Sequence, residues 1–376
     1  MNNSDEYDLI VIGAGMAGVA AANKCGAAGW RVAIVDALPY GGTCALRGCD
    51  PKKILRRGVE IVDAARLMEG KGIDPSGLKI NWSDLMAHKR GFTDPVPDKM
   101  EKGLTGNGVE TLHGAARFTG TNTLEVDGQP YQSKRFLIAA GAIPRPVSFT
   151  GADLMIDSTD FLNLETLPKR ILFVGGGFVS FEFAHIAARA GVKPIIIDRG
   201  ARPLSAFDPD LVEMLIARSA AVGVDLRRET EIVSITASDV GFAVIEGKVA
   251  ASNMLKEQKI VPDYSGIPTA VFTVPELARV GMLEAEAKEA GHDVDVRFTD
   301  TGGWYSNYRI GETSAAAKVL VDKSDGKILG AHLFGPEYGE LINFFGLAIK
   351  MGLTAKQLKS MTAVYPSVGS DLGSLI

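Results

Sequence analysis

Tyr7 to Asp36 reads YDLIVIGAGMAGVAAANKCGAAGWRVAIVD. A short apolar run, Tyr7 to Ile12, leads into Gly13-Ala14-Gly15-Met16-Ala17-Gly18. An Ala-rich stretch follows to about Ala28, and a second apolar run, Arg31 to Val35, is closed by Asp36. Short apolar runs bounded by glycine predict buried strands of a parallel sheet, and the alanines between them predict a helix. Strand, Gly-rich turn, helix, strand and acid together form a dinucleotide-binding βαβ unit. The glycines permit a tight turn and a close backbone approach to a pyrophosphate. The helix N-terminus offers free N–H groups and the positive end of its dipole, and the acid accepts hydrogen bonds from a ribose.

The pattern recurs. Arg170 to Val174 is apolar and enters Gly175-Gly176-Gly177-Phe178-Val179-Ser180, a helical stretch runs to about Ala190, and Pro194 to Ile197 ends at Asp198. From Gly18 to Asp36 and from Ser180 to Asp198 the separation is eighteen residues in each copy. One such loop is weak support for nucleotide binding; two, each between a strand and a helix, are hard to ascribe to chance.

Outside these units the sequence sets bounds. A chain of 376 residues predicts two or three domains. Its net charge of −5 argues against a nucleic-acid surface. The polar, acidic start MNNSDEYD lacks the form of a signal peptide, and no apolar run is long enough to span a bilayer. Three cysteines do not make a secreted disulfide framework, so a cytoplasmic protein is expected. Phe136 to Arg145 (FLIAAGAIPR) reads as a buried strand ending in small residues. Residues 263–376 contain no phosphate loop. They mix strand-like runs (Ala270–Thr273, Ala317–Val321, Ile328–Phe334) with helical ones (Leu283–Ala290, Gly339–Lys350, Ala355–Lys359), as a separate α+β domain would.

The chemistry concentrates in Gly41-Gly42-Thr43-Cys44-Ala45-Leu46-Arg47-Gly48-Cys49-Asp50-Pro51-Lys52-Lys53. On a regular helix, cysteines five apart would point about 140° away from each other. A disulfide needs Cα atoms within about 7 Å, so the segment must be distorted, and Gly48 supplies the freedom. Arg47, Lys52 and Lys53 favour a thiolate. Zinc is not expected: there is no second cysteine pair, and His88, His113, His185, His292 and His332 lack ligand spacing.

Beside an N-terminal dinucleotide fold, G-G-T-C-x₄-C-x-P-x-K resembles the pyridine nucleotide–disulfide oxidoreductases, the family of glutathione reductase, dihydrolipoyl dehydrogenase and mercuric reductase. The resemblance runs through the second loop into the last domain. It implies an α/β fold with two Rossmann-like dinucleotide-binding domains and a C-terminal α+β dimerisation domain, using FAD and NADH or NADPH. Residues 1–148, completed by about 245–262, would hold FAD; 149–244 would hold the nicotinamide dinucleotide; 263–376 would form a homodimer. Gly13, Gly15, Gly18, Asp36, Gly42, Thr43, Lys53, Ala115, Ala140 and Gly141 would line the FAD site. Gly175, Gly177, Ser180, Glu182, Asp198 and Arg199 would line the second site. Cys49 would face the flavin and Cys44 would meet the substrate. A lysine of the Lys52/Lys53 pair with Glu182 resembles the ion pair beside the flavin; without the resemblance Glu182 reads as a solvated helix carboxylate. Asp198 favours NADH, whereas Arg199 and Arg202 could hold a 2′-phosphate.

Two departures stand out. Where the family carries His-Pro-Thr and then a Glu, this chain has Tyr365-Pro366-Ser367-Val368-Gly369-Ser370-Asp371. A phenol ordinarily titrates near about 10 and is a poor base at pH 7. Around Val240 to Lys248 the later strands of the nicotinamide domain and a Gly-Asp segment are missing, which reads as an internal deletion. No cysteine follows Cys49, whereas mercuric reductase and large thioredoxin reductases need more near the C-terminus. The expected function is transfer of electrons from a nicotinamide through FAD to Cys44 and Cys49 and on to a small disulfide or related acceptor. The rivals are a flavin-dependent quinone or dye reductase and a catalytically impaired dimeric remnant. Cys25, His113 and His185 read as structural, and Trp304, Tyr305 and Tyr308 as packing within the last domain.

Overall fold

The computed structural model describes residues 6–143, 155–230 and 264–376. The expected break near 240–248 lies outside them. Strand β1 (Leu9–Ile12), helix α1 (Met16–Ala27) and strand β2 (Val32–Asp36) form the first βαβ unit. β1 and β2 pair in parallel with Leu9 opposite Val32. Strand β3 (Val109–His113) joins β2, and β7 (Phe136–Ile138) joins β1, in the order β3-β2-β1-β7. Small residues let α1 lie close to the sheet: a Cβ on Gly18 would collide with the Gly13 carbonyl. β7 corrects an expectation. Among the described residues, its three residues form the edge of the sheet; Phe136 and Leu137 are half-buried and Ile138 is exposed, so this part of the run is not a buried strand.

Between β2 and β3 lie helices α2 (Cys49–Leu67), α3 (Trp82–Thr93) and α4 (Val96–Gly106). α2 buries Leu55, Val59 and Val62, one helical face. Strands β4 (Ala116–Gly120), β5 (Thr123–Val126) and β6 (Gln129–Gln132) form an antiparallel meander between β3 and β7. A short helix α5 (Ser158–Phe161) precedes the second unit, which comprises β8 (Arg170–Val174), α6 (Phe178–Arg189), β9 (Lys193–Ile197), α7 (Pro209–Ala221) and β10 (Asp225–Arg227). Its described strands lie parallel in the order β10-β9-β8.

The last region is an antiparallel sheet of β11 (Thr269–Val271), β12 (Glu276–Gly281), β13 (Val294–Asp300), β14 (Ala316–Asp322) and β15 (Ile328–Gly335), in the order β11-β12-β15-β14-β13. Two short helices, α8 (Glu284–Glu289) and α9 (Tyr305–Tyr308), lie between its strands. Helices α10 (Tyr338–Met351) and α11 (Ala355–Lys359) follow. α10 packs Leu341, Ile342 and Phe345 with Ala331 and Leu333 of β15 in one core. Among the described residues no helix is long and apolar enough to cross a membrane.

Candidate active site

The segment after β2 is distorted as its cysteine spacing requires. Thr43–Arg47 forms a π-helical turn, Gly48 breaks it, and α2 begins at Cys49. A Cβ on Gly48 would stand 2.9 Å from the Thr43 carbonyl oxygen, so the turn closes tightly on itself. The two cysteines are free thiols, half-buried and joined by a hydrogen bond from Cys44 to Cys49. That bond is the main reason the Cys49 thiol is lowered to about 6; Lys52 and Lys53 help, while burial and Asp50 oppose. The same bond, with burial, pushes Cys44 up. Cys49 also occupies the first turn of α2, at the positive end of a long helix. A pair joined in this way can hold one thiolate and one thiol, and the positive end of α2 favours the thiolate at Cys49.

Contacts to two other segments extend from here. Lys52 Nζ lies 2.5 Å from Glu182 Oε2. Glu182 Oε1 accepts a hydrogen bond from the Phe272 N–H at 2.7 Å. Glu182 is 1% exposed, so it is not a solvated helix carboxylate. Of the two lysines, Lys52 forms the pair; Lys53 lies over the Phe272 ring, 4.2 Å from its centroid.

The two Gly-rich loops have the shape their ligands need. Gly13 has φ +106°, and a Cβ there would collide with the Ala139 carbonyl. Gly42 has φ +62°, and a Cβ there would run into Gly15. Bare backbone from three segments thus converges at the carboxyl ends of β1, β2 and β7, the edge where open α/β sheets take ligands. Helix α1 has no side-chain cap at Gly15, leaving its first N–H groups for a phosphate. Asp36 sits against this loop and accepts from the Ala14 N–H at 2.7 Å. Thr43, Ala115, Ala140 and Gly141 are exposed around the same edge. The second loop repeats the design. Gly175 has φ +99°, α6 lacks a side-chain cap at Gly177, and a Cβ on Gly176 would strike the Asp198 carboxylate. Ser180 is half-buried in the first turn of α6, and Arg199 is exposed just past Asp198. These residues fit the adenosine diphosphate portions of FAD and of a nicotinamide dinucleotide.

Tyr365 belongs to a different surface. No hydrogen bond joins it to either thiol among the described residues. It is 75% exposed, with its ring stacked on Tyr305 at 6.3 Å between centroids. Asp371, the nearest acid in sequence, accepts from Ser306 Oγ instead of orienting residue 365. Tyr305 and Tyr308 are themselves exposed, so the expected packing holds for Trp304, which lies against the domain core, and fails for the two tyrosines.

Comparison with known proteins matches the family model for pyridine nucleotide-disulphide oxidoreductase over residues 7–262 and the model for that family's dimerisation domain over 267–375. The chain belongs to the pyridine nucleotide-disulphide oxidoreductases. Glutathione reductase from Burkholderia cepacia is 26% identical, over 98% of this chain and 98% of that protein. Dihydrolipoyl dehydrogenase from Geobacillus stearothermophilus is also 26% identical, over 97% and 94%. Among solved structures, the HOCl-induced flavoprotein disulfide reductase RclA from Escherichia coli superposes with a TM-score of 0.85 at 23% identity, over 98% of this chain and 99% of that one. The last match shows a shared fold. The first alignment spans 441 positions, whereas this chain has 376 residues, so at least 65 positions carry no residue here. As a pyridine nucleotide-disulphide oxidoreductase the chain is an enzyme that uses FAD and NAD(P)H to reduce disulfides.

This oxidoreductase also holds a buried polar group that the sequence reading missed. Arg189 Nε donates to Asp63 at 2.8 Å, and another nitrogen of Arg189 donates to the Val274 carbonyl at 2.8 Å. Arg218 bridges Asp63 at 3.0 Å and Glu312 at 3.3 Å. His185 Nδ1 faces the N–H donors of Arg189 and Val274, so the proton is on Nε2, which faces Ser219 Oγ at 2.9 Å. Burial, then Arg189, Arg218 and Arg56, hold His185 well below its usual range. One signal was present: Glu182, His185 and Arg189 fall on one face of α6 at positions i, i+3 and i+7. Cys25 is buried and its thiol is pushed up by burial, as a structural cysteine should be.

Proposed function

We propose that this enzyme passes reducing equivalents from NAD(P)H through FAD to Cys44 and Cys49, and from them to a small disulfide or a related acceptor. The carrying observation is the paired thiols, one lowered and one raised, at the head of a helix whose Lys52 is tied to Glu182 of the second nucleotide unit. FAD, when bound, relays two electrons between the nicotinamide and the dithiol. Gly13, Gly15, Gly18 and Asp36, with Gly42, Thr43, Ala115, Ala140 and Gly141, would hold it; the stretch 245–262 expected to complete this site lies outside the described residues. Gly175, Gly177, Ser180 and Asp198 hold the nicotinamide dinucleotide in residues 149–244, and Asp198 favours NADH over NADPH.

The residues' own chemistry follows from the thiols. Cys44, once it has lost its proton, attacks an acceptor disulfide, forms a mixed disulfide and releases one thiolate. The Cys49 thiolate then attacks the Cys44 sulfur, closes the Cys44–Cys49 disulfide and releases the second thiolate. Two electrons leave the dithiol and reduce one disulfide to two thiols. Residues 263–376 join two copies into a homodimer, and Tyr365 meets the acceptor where relatives use an imidazole. The enzyme works in the cytoplasm.

Counting thiols in the denatured, non-reduced protein tests the cysteine assignment. The air-oxidised enzyme should show one thiol, Cys25, and the enzyme reduced and freed of reductant should show three. Three thiols before reduction would overturn it. Dye or quinone reduction that survives Cys44→Ser undiminished would favour the flavin alone as electron donor.

A further inference from the structure

Phe272 has no charge and no place in the thiol chemistry, yet two parts of the charged site converge on it. Its N–H donates to Glu182, the carboxylate that neutralises Lys52. Its ring carries Lys53 at 4.2 Å from the centroid, with Lys52 and Arg56 each 5.7 Å away. Lys52 thus has an anionic partner, while Lys53 is held by a neutral ring. A cation over an aromatic face is fixed in place without its charge being cancelled. We propose that Phe272 is a positioning residue for thiol reactivity: it sorts the two adjacent lysines, fixing Lys52 through Glu182 and parking Lys53 as an uncompensated charge beside the dithiol. This rests on the proposed role of Cys44 and Cys49.

Among the described residues, the charged groups that Cys49 feels most are Lys52, Asp50 and Lys53, in that order. Cys44 lies on the π-helical turn, and Asp50, Lys52 and Lys53 lie on α2. Asp50 opposes the thiolate and both lysines favour it. Lys53 is exposed even on the ring; off it, the ammonium would roam farther from the dithiol, with more water between them to screen it. The thiolate would then lose the nearer part of one cation's field, while Lys52 stayed paired.

The test is the pH dependence of iodoacetamide labelling at Cys49 in the full-length, reduced enzyme as purified. Trypsin cuts after Arg47, so Cys44 and Cys49 fall on separate peptides and can be followed separately. Phe272→Leu should raise the lower apparent pKa of the dithiol by about half a unit, which slows Cys49 labelling below that pKa about threefold. Phe272→Met, which keeps the volume but lacks the ring face, should do the same and serves if the leucine variant misfolds. Phe272→Tyr should match the wild type. Lys53→Met should shift the profile as far as Phe272→Leu, and the double variant no further than Lys53→Met alone. An unshifted profile in Phe272→Leu or Phe272→Met beside a shifted one in Lys53→Met would overturn the proposal, as would additive shifts or an inert Lys53→Met. Unequal thiol counts in the oxidised and reduced enzyme, one and three, separately establish whether the dithiol is redox-active, so a failure there is not confused with a failure of Phe272.

Discussion

Lys52 Nζ and Glu182 Oε2 stand 2.5 Å apart, joining the helix that begins at Cys49 to the helix that follows the second Gly-rich loop. The acid is buried and the lysine nearly so, which makes this bond unlike a surface ion pair. Glu182→Ala would leave the Lys52 cation without its partner and the Phe272 N–H without an acceptor. Loss of about 3 kcal/mol in chemical denaturation is expected, against well under 1 kcal/mol for removing an exposed partner such as Glu213 of the Arg228 pair. Equal costs for the two substitutions would remove the special standing of Glu182.

The proposed meeting of Tyr365 with the acceptor predicts a particular pH dependence of acceptor reduction. A phenol does not take the Cys44 proton near neutrality, and the Cys44 thiol is held above its usual range by the bond to Cys49 and by burial. The ionised fraction of Cys44 therefore grows with pH throughout the range below its pKa. Where chemistry limits turnover, the rate with a small disulfide should climb from pH 6 to 9, up to about tenfold per unit. Tyr365→His should raise the rate near pH 7 and flatten that slope. A flat wild-type profile would falsify this reading.

His185 links stability to pH. Its folded-state pKa lies well below the ordinary imidazole value, so the folded protein excludes a proton that the unfolded chain binds. The stabilisation is complete above the unfolded value of about 6.5 and is lost as pH falls below it, by up to about 1.4 kcal/mol per unit. His332, lowered by burial, acts in the same direction. In His185→Gln, whose amide offers one acceptor and one donor to the same neighbours, the urea midpoint should fall less between pH 7 and pH 5 than in the wild type. An unchanged difference between those midpoints would show that His185 is not the linked group.

The dimer should depend on α10. Phe344, Leu347 and Met351 leave an exposed apolar stripe on a helix whose opposite face is core. Leu347→Asp should convert a dimer at micromolar concentration into a folded monomer by sedimentation. A wild-type monomer at that concentration would count against the assignment.

The two acids are expected to divide by cofactor. Asp36→Ala should weaken FAD retention about ten- to a hundredfold, the worth of one charge-assisted hydrogen bond, while Asp198→Ala should leave the flavin in place and raise the KM for the nicotinamide. Flavin content after gel filtration reads the first effect. Equal flavin loss in both variants would dissolve the assignment.

Local order was the most legible part of the sequence. Both βαβ units fall where their apolar runs and glycines put them, because strand, turn and helix are all coded within thirty residues. The distortion between Cys44 and Cys49 followed from helix geometry alone. The strands Glu276–Gly281 and Val294–Asp300 escaped notice because charged residues interrupt their apolar pattern. The meander at 116–132 had a usable signal in Asp127-Gly128, whose positive φ values of 48° and 84° mark a tight hairpin turn. The choice of Lys52 over Lys53 was not legible. Neighbours on a helix point about 100° apart, and only the position of Glu182, 130 residues away, decides between them. Tyr305 and Tyr308 misled because an aromatic residue's burial depends on what covers its domain.

The Asp63, Arg189, Arg218 and Glu312 group bears on modularity. Nucleotide-binding units of this kind look like exchangeable parts, and a chimera would be cut between α7 and β11. Here the N-terminal part would then hold Arg218 without Glu312 and Arg189 without the Val274 carbonyl, and the C-terminal part would hold a buried Glu312 without Arg218. A graft of the C-terminal domain would succeed only with an acid at 312 and a backbone that brings residue 274 to the same arginine, so the three regions have to be exchanged as a set.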